Sequence, residues 1–125
     1  MISDNILGIH HIAIICSNER SLAFYHALGF QTVSRVSRPE HHDEIVMLSG
    51  YGVTLELFID ATHPAHVTNP EAYGLRHLAL KVSDIEQVVD ALKEYNPEPI
   101  RTDSFTGEKM TFVKDPDGLP IELHE

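Results

Sequence analysis

Cationic residues are scarce in this chain. Nine Lys and Arg stand against nineteen Asp and Glu, a formal net charge of −10 with His neutral. Nucleic acids and anionic membrane surfaces are gripped by clustered Lys and Arg, so neither is expected as a partner. There is a single cysteine, Cys16, within an apolar segment; no disulfide can form within the chain, and a small buried hydrophobe is the reading for such a residue. The N-terminus lacks a cationic start followed by an apolar run, and no apolar stretch approaches the ~18 residues of a membrane span. A cytoplasmic protein is the resulting expectation. The length, 125 residues, matches one domain.

What the chain does have is an internal repeat. His11 and His77 are 66 positions apart, and Glu56 and Glu122 share that offset. G-I-H-H-I-A-I from Gly8 returns as G-L-R-H-L-A-L from Gly74, and G-V-T-L-E-L from Gly52 as G-L-P-I-E-L from Gly118. Repeats precede every other reading because missing one misassigns the fold. Two half-chains, each giving one His and one Glu, point to a pseudo-twofold site for one metal ion.

The elements follow the same repeat. A strand is expected over 8–16. Ser17-Asn18 offers a helix cap ahead of Glu19, and Leu22, Tyr25 and Leu28 give a helical stripe over 20–28 that stops at Gly29. Strands follow near 31–36, 44–49 and 53–59. The second half repeats the order: a strand at 75–82, a helix capped by Ser83-Asp84 over 85–95, a break at Asn96-Pro97, and strands near 99–103, 109–114 and 119–124. Asp115-Pro116-Asp117-Gly118 reads as a tight turn. The fold class is therefore α+β, two tandem β-α-β-β-β modules forming a curved mixed sheet around a metal site. Module one covers about 8–60, a linker rich in His, Pro, Asn and Thr about 61–73, and module two about 74–125, all within one domain.

Parity sorts the strand side chains. Ile12, Ile14 and Cys16 share one face and His11 takes the other; Leu78, Leu80 and Val82 oppose His77. Leu55 and Leu57 flank Glu56, and Ile121 and Leu123 flank Glu122. The apolar faces can pack inward while His11, Glu56, His77 and Glu122 point away from them. Two imidazoles and two carboxylates suit a borderline divalent ion: Ni, Zn or Co, with Mn or Fe(II) as further candidates. An octahedral ion with four protein ligands keeps two positions for water or substrate.

These motifs, with F-Y-H-A-L-G-F at 24–30 and D-P-D-G-L-P-I-E-L at 115–123, resemble the vicinal oxygen chelate superfamily, which includes glyoxalase I, bleomycin-resistance proteins, extradiol dioxygenases and fosfomycin-resistance enzymes. The resemblance covers nearly the whole chain. It implies paired β-α-β-β-β modules, usually in homodimers, with a metal held by His11, Glu56, His77 and Glu122, often between subunits. It further implies a glyoxalase I-like lyase or isomerase acting on a small α-hydroxy carbonyl or hemithioacetal through an enediolate. Glu122 would be the base, Glu56 its pseudo-symmetric counterpart, and Phe112 an aromatic pocket residue. Glutathione-dependent members usually carry Arg four residues after the first ligand, where this chain has Ile15, and Asn four after the first Glu, where it has Asp60. Both grip glutathione in that family.

Other features weigh less. Thr106-Gly107 reads as a plain turn or a loop over the site. Arg38, Arg101 and Lys109 are candidate anchors for an anionic substrate. His124 shares parity with Glu122 and could support it, or fray at the chain end. His41-His42 and His63-x-x-His66 lack carboxylate partners at a regular spacing. The alternatives are an Fe(II) dioxygenase or thiol transferase of the same superfamily, which usually use two His and one carboxylate, or a non-enzymatic drug-binding protein, which commonly lacks the metal residues.

Overall fold

The computed structural model describes all 125 residues. The chain forms two compact units, Met1–His63 and Pro64–Glu125. The first holds β1 (Ile12–Cys16), α1 (Glu19–Ala27), β2 (Gln31–Arg38), β3 (Asp43–Gly50) and β4 (Val53–Ile59). The second holds β5 (Leu78–Lys81), α2 (Ile85–Ala91), β6 (Arg101–Thr102), β7 (Lys109–Lys114) and β8 (Pro120–His124). Each unit is β-α-β-β-β with one four-stranded mixed sheet, ordered β1-β4-β3-β2 and β5-β8-β7-β6. In each, the first strand runs parallel to the last and the remaining pairs are antiparallel. No helix is long and apolar enough to cross a membrane.

Both helices start where the sequence places them. The Asn18 side chain accepts the Arg20 N–H, and the Asp84 side chain accepts the Gln87 N–H, satisfying donors that the first helical turn leaves open. Arg35 of β2 bridges Glu44 on β3 and Glu19 in the first turn of α1. The buried face of α1 is wider than the Leu22–Tyr25–Leu28 stripe: Ser21, Phe24 and Tyr25 are fully buried and Leu22 nearly so. After α1 the chain turns at Gly29 with φ +104, beneath the Tyr51 hydroxyl, which donates to the Leu28 carbonyl. A side chain at Gly29 is excluded both by that φ and by the ring.

Strand parity is the main source of the core. Leu55 and Leu57 on β4, and Ile121 and Leu123 on β8, have no exposed surface, while Glu56 and Glu122 between them are partly exposed. Cys16 is buried.

Four elements are shorter than the sequence suggests. β1 begins at Ile12, which pairs with Leu55 near the start of β4; at that register Gly8 and Ile9 fall opposite the Tyr51–Gly52 turn, where no strand is left to pair with. β5 begins at Leu78, opposite Ile121; His77 would fall opposite Pro120, which has no N–H to offer, and Leu75 and Arg76 opposite the Gly118–Leu119 turn. α2 ends at Ala91, and the chain tightens through a 3₁₀ turn at Lys93–Tyr95 to Asn96, whose φ is +56. Asn96 precedes Pro97, and a residue before proline is barred from the helical region. β6 spans only Arg101–Thr102, pairing with Met110 and Lys109.

The repeat slips by one residue at the hairpins. Between β3 and β4 the turn is the two-residue Tyr51–Gly52, both at positive φ, as a tight hairpin demands. Between β7 and β8 the loop is one residue longer, closed by the Asp115 N–H donating to the Leu119 carbonyl at 2.8 Å. The nearly buried Asp115 carboxylate accepts the N–H groups of Asp117 and Leu119, each at 2.9 Å. Met47 therefore stands opposite Glu56, and Phe112 opposite Glu122.

Candidate metal centre

Each unit brings its own His and Glu together. His11 lies one residue before β1 and His77 one before β5. Ala13 is the register partner of Glu56, and Ala79 of Glu122. Each His is two residues before that partner, on the same sheet face, and reaches its Glu along it. His11 Nε2 stands 3.4 Å from Glu56 Oε1, and His77 Nε2 stands 3.2 Å from Glu122 Oε1. All four side chains keep some exposure, 37% and 21% in the first pair and 22% and 16% in the second. The first pair is thus more open to solvent. No three His, Cys, Asp or Glu side chains gather as a metal-holding group within either unit.

The chemistry of these pairs fits two neighbouring ligands of one divalent ion. At ligand distances of about 2.1 Å, two donors at angles between a right angle and tetrahedral are about 3.0–3.4 Å apart. The two pairs have that spacing.

The residue before each His also touches it. His10 Nδ1 lies 2.9 Å from His11 Nδ1, and Arg76 Nη1 lies 3.1 Å from His77 Nδ1. Positions 10 and 76 are themselves 66 apart. Guanidinium is only a donor, so His77 Nδ1 accepts and the ring proton sits on Nε2, facing Glu122. Glu71 holds Arg76 through two contacts of 2.8 Å. Sequence reasoning missed Arg76, although the repeat offset from His10 singles out its position. Phe112 meets the His77 ring edge-on, centroids 5.1 Å apart at 88°.

Of the candidate anion anchors, Arg38 is tied to Asp43 by two bonds of 2.7 and 2.8 Å and covers Phe58, and Lys109 is tied to Glu86 at 2.6 Å. Arg101 is held more loosely, 3.3 Å from Glu98, with its guanidinium over Phe112. Asp60 accepts both the hydroxyl and the N–H of Thr62, which hold its carboxyl below the usual range. His63 stands 3.5 Å from Asp60, and His41 lies near Glu40.

His124 is ordered within β8 rather than frayed. Its Nδ1 meets the Glu125 carbonyl at 2.8 Å and its Nε2 meets Asp103 Oδ2 at 3.0 Å. These two contacts, in that order, raise the His124 pKa. The Asp103 carboxyl is lowered, first by the Phe105 N–H and then by His124. Asp103 thereby pins a turn in which the Gly107 N–H donates to the Asp103 carbonyl at 2.8 Å. The raised imidazole favours the folded state fully below the unfolded His pKa of about 6.5 and loses that contribution as pH rises through its folded pKa. The lowered carboxyl contributes above about pH 3.9 and loses it as pH falls through the folded value. In Asp103→Asn, the His124 pKa read by NMR titration should fall toward the ordinary value; an unchanged pKa would remove Asp103 as a cause.

The model of the Glyoxalase/Bleomycin resistance protein/Dioxygenase superfamily matches residues 8–123. The chain is 49% identical over 123 residues to the uncharacterized protein YwkD of Bacillus subtilis (strain 168), covering 94% of this chain and 96% of that one. It is 29% identical over 128 residues to the lactoylglutathione lyase of Salmonella typhimurium, covering 94% and 90%. The crystal structure of a glyoxalase family protein from Enterococcus faecalis superposes with a TM-score of 0.89 at 48% identity, covering 97% of this chain and 99% of that one. With its two β-α-β-β-β units and a match spanning nearly every residue, the chain belongs to the glyoxalase/bleomycin resistance/dioxygenase superfamily, within the vicinal oxygen chelate proteins.

Proposed function

We propose that this protein is a metal-dependent glyoxalase I-like lyase or isomerase acting on a small α-hydroxy carbonyl or hemithioacetal through an enediolate. The observation that carries this is the pair of repeat-related His–Glu contacts, 3.4 and 3.2 Å, each on the sheet face opposite the core leucines. The similarity to a lactoylglutathione lyase supports it. His11, Glu56, His77 and Glu122 would hold one Ni, Zn or Co ion, or Mn or Fe(II), in a homodimer. Such an ion supplies Lewis acidity toward oxygens on adjacent carbons.

The remaining work belongs to the chain. Glu122 takes a proton from one carbon and returns it to its neighbour. His77 stays within 3.2 Å of that carboxylate and is steadied by the Phe112 edge. Phe112 walls the site with apolar surface. Glutathione is not the expected thiol, since Ile15 offers no charge and Asp60 is engaged by Thr62.

Elemental analysis of the purified wild type and of Glu56→Ala, beside turnover of methylglyoxal with several thiols, tests the reading. We expect stoichiometric divalent metal in the wild type, lost in the variant, and thiol-dependent ester formation. A wild type that holds no metal after reconstitution would overturn the mechanism. Metal without that turnover would exclude the hemithioacetal and leave the α-hydroxy carbonyl.

A further inference from the structure

A cavity of about 650 Å³ opens in the second unit. Its walls include Arg76, Arg101 and Lys114 against only two carboxylates, Glu71 and Glu98. In a chain of net charge −10 with nine cationic side chains, one cavity thus gathers three of them and carries a local excess of positive charge. Attraction of this kind focuses an anion into a cleft.

The cations differ in availability. Arg76 is committed to Glu71 and His77. Arg101 lies over Phe112, its Cζ 5.6 Å from the ring centroid, with one 3.3 Å contact to Glu98. A guanidinium that spends few of its five N–H groups on protein partners keeps the others for an oxyanion, which it can meet in bidentate fashion. Lys114 is exposed and forms no ion pair.

Register ties these groups to the proton-moving carboxylate. Arg101 pairs with Met110, and Phe112 and Lys114 lie two and four positions on along β7; Phe112 pairs with Glu122. Directly opposed residues, and residues two apart on a strand, share a sheet face. Arg101, Phe112, Lys114 and Glu122 therefore stand on one face, with Phe112 touching Arg101 and the His77 ring. Two residues along a strand span about 7 Å, a separation a short molecule bridges.

We infer that the substrate is a small anion: its carboxylate or phosphoryl oxygens bind Arg101 and Lys114, while its reacting carbons lie at Glu122. This rests on the proposed function for the location of the chemistry, but the anion subsite can be read without it.

The test uses zinc-loaded protein titrated separately with acetate and with inorganic phosphate, followed through the amide NMR signals of Tyr73, Phe112 and Lys114, with zinc content measured on every sample. The variants are Arg101→Gln/Lys114→Gln, both exposed positions that leave the core untouched, and Lys93→Gln as a cation outside the cavity. We expect saturable shifts in the wild type and in Lys93→Gln, weakened about tenfold or more in the double variant with zinc content unchanged. Preference for phosphate over acetate assigns a phosphoryl group, and the reverse a carboxylate. Absence of saturable shifts with either anion, or equal binding by the double variant, overturns the inference while retained zinc leaves the proposed function standing. A protein that takes up none of Ni, Zn, Co, Mn or Fe(II) fails the proposed function instead, and the same titration of the metal-free protein still decides the subsite.

Discussion

Glu122→Gln should lower turnover of the substrate by about 10²–10⁴-fold, the range that a positioned acid–base group contributes. The amide keeps the shape and a neutral oxygen donor but cannot take up a proton. Glu122 is held between Ile121 and Leu123, both fully buried, so its backbone position does not depend on its charge and the variant should remain folded. Glu56→Gln is the matched comparison, since the repeat gives Glu56 an equivalent contact with its own His. The Phe112 ring stands opposite Glu122, where the first unit has Met47, so the two carboxylates differ in their surroundings, and the proposed base is Glu122. Steady-state kinetics on the metal-replete variants decides it. If Glu56→Gln shows the larger loss at equal metal content, the roles of the two carboxylates are exchanged.

Phe24→Ala should cost about 3–5 kcal/mol of folding stability, as removal of a fully buried aromatic usually does. Phe24 has no exposed surface and packs edge-on against Tyr25, centroids 5.2 Å apart. Against a total stability of about 5–15 kcal/mol for a natural domain, that loss would leave the protein barely folded at ambient temperature. Urea unfolding followed by far-UV circular dichroism measures it. A loss under about 1 kcal/mol would mean that α1 is not part of the cooperative core. The periodicity of α1 understates this position: a stripe at 22, 25 and 28 passes beside Phe24, and only the completed fold widens the buried arc to include Ser21 and Phe24.

What was legible in the sequence is local or periodic. Alternation in β4 and β8 sorted Leu55, Leu57, Ile121 and Leu123 inward and Glu56 and Glu122 to the opposite face because strand geometry has a period of two. Asn18 and Asp84 announced the helix starts, since an open N–H at a helix end needs a nearby side-chain oxygen. The common 66-residue offset paired His11 with Glu56 and His77 with Glu122, because a repeated β-α-β-β-β unit repeats its register.

Partners set by side-chain packing were not legible. His124 on Asp103 and Arg101 over Phe112 are contacts that no spacing rule dictates, because each depends on how a loop returns to the sheet. The apparent linker gives most of its length to the second unit, where most residues between Ala65 and Arg76 line the cavity with Arg101, Phe112 and Lys114. Strand ends, too, were decided by the sheet, for a strand stops where its neighbour's backbone no longer offers hydrogen bonds. The sequence by itself determined the repeat, the inward faces and the four ligand candidates, since these follow from the order of residues along single elements. Tertiary structure alone decided the contact of His124 with Asp103 and the gathering of Arg76, Arg101 and Lys114 around one cavity, since both arise between segments distant in the chain.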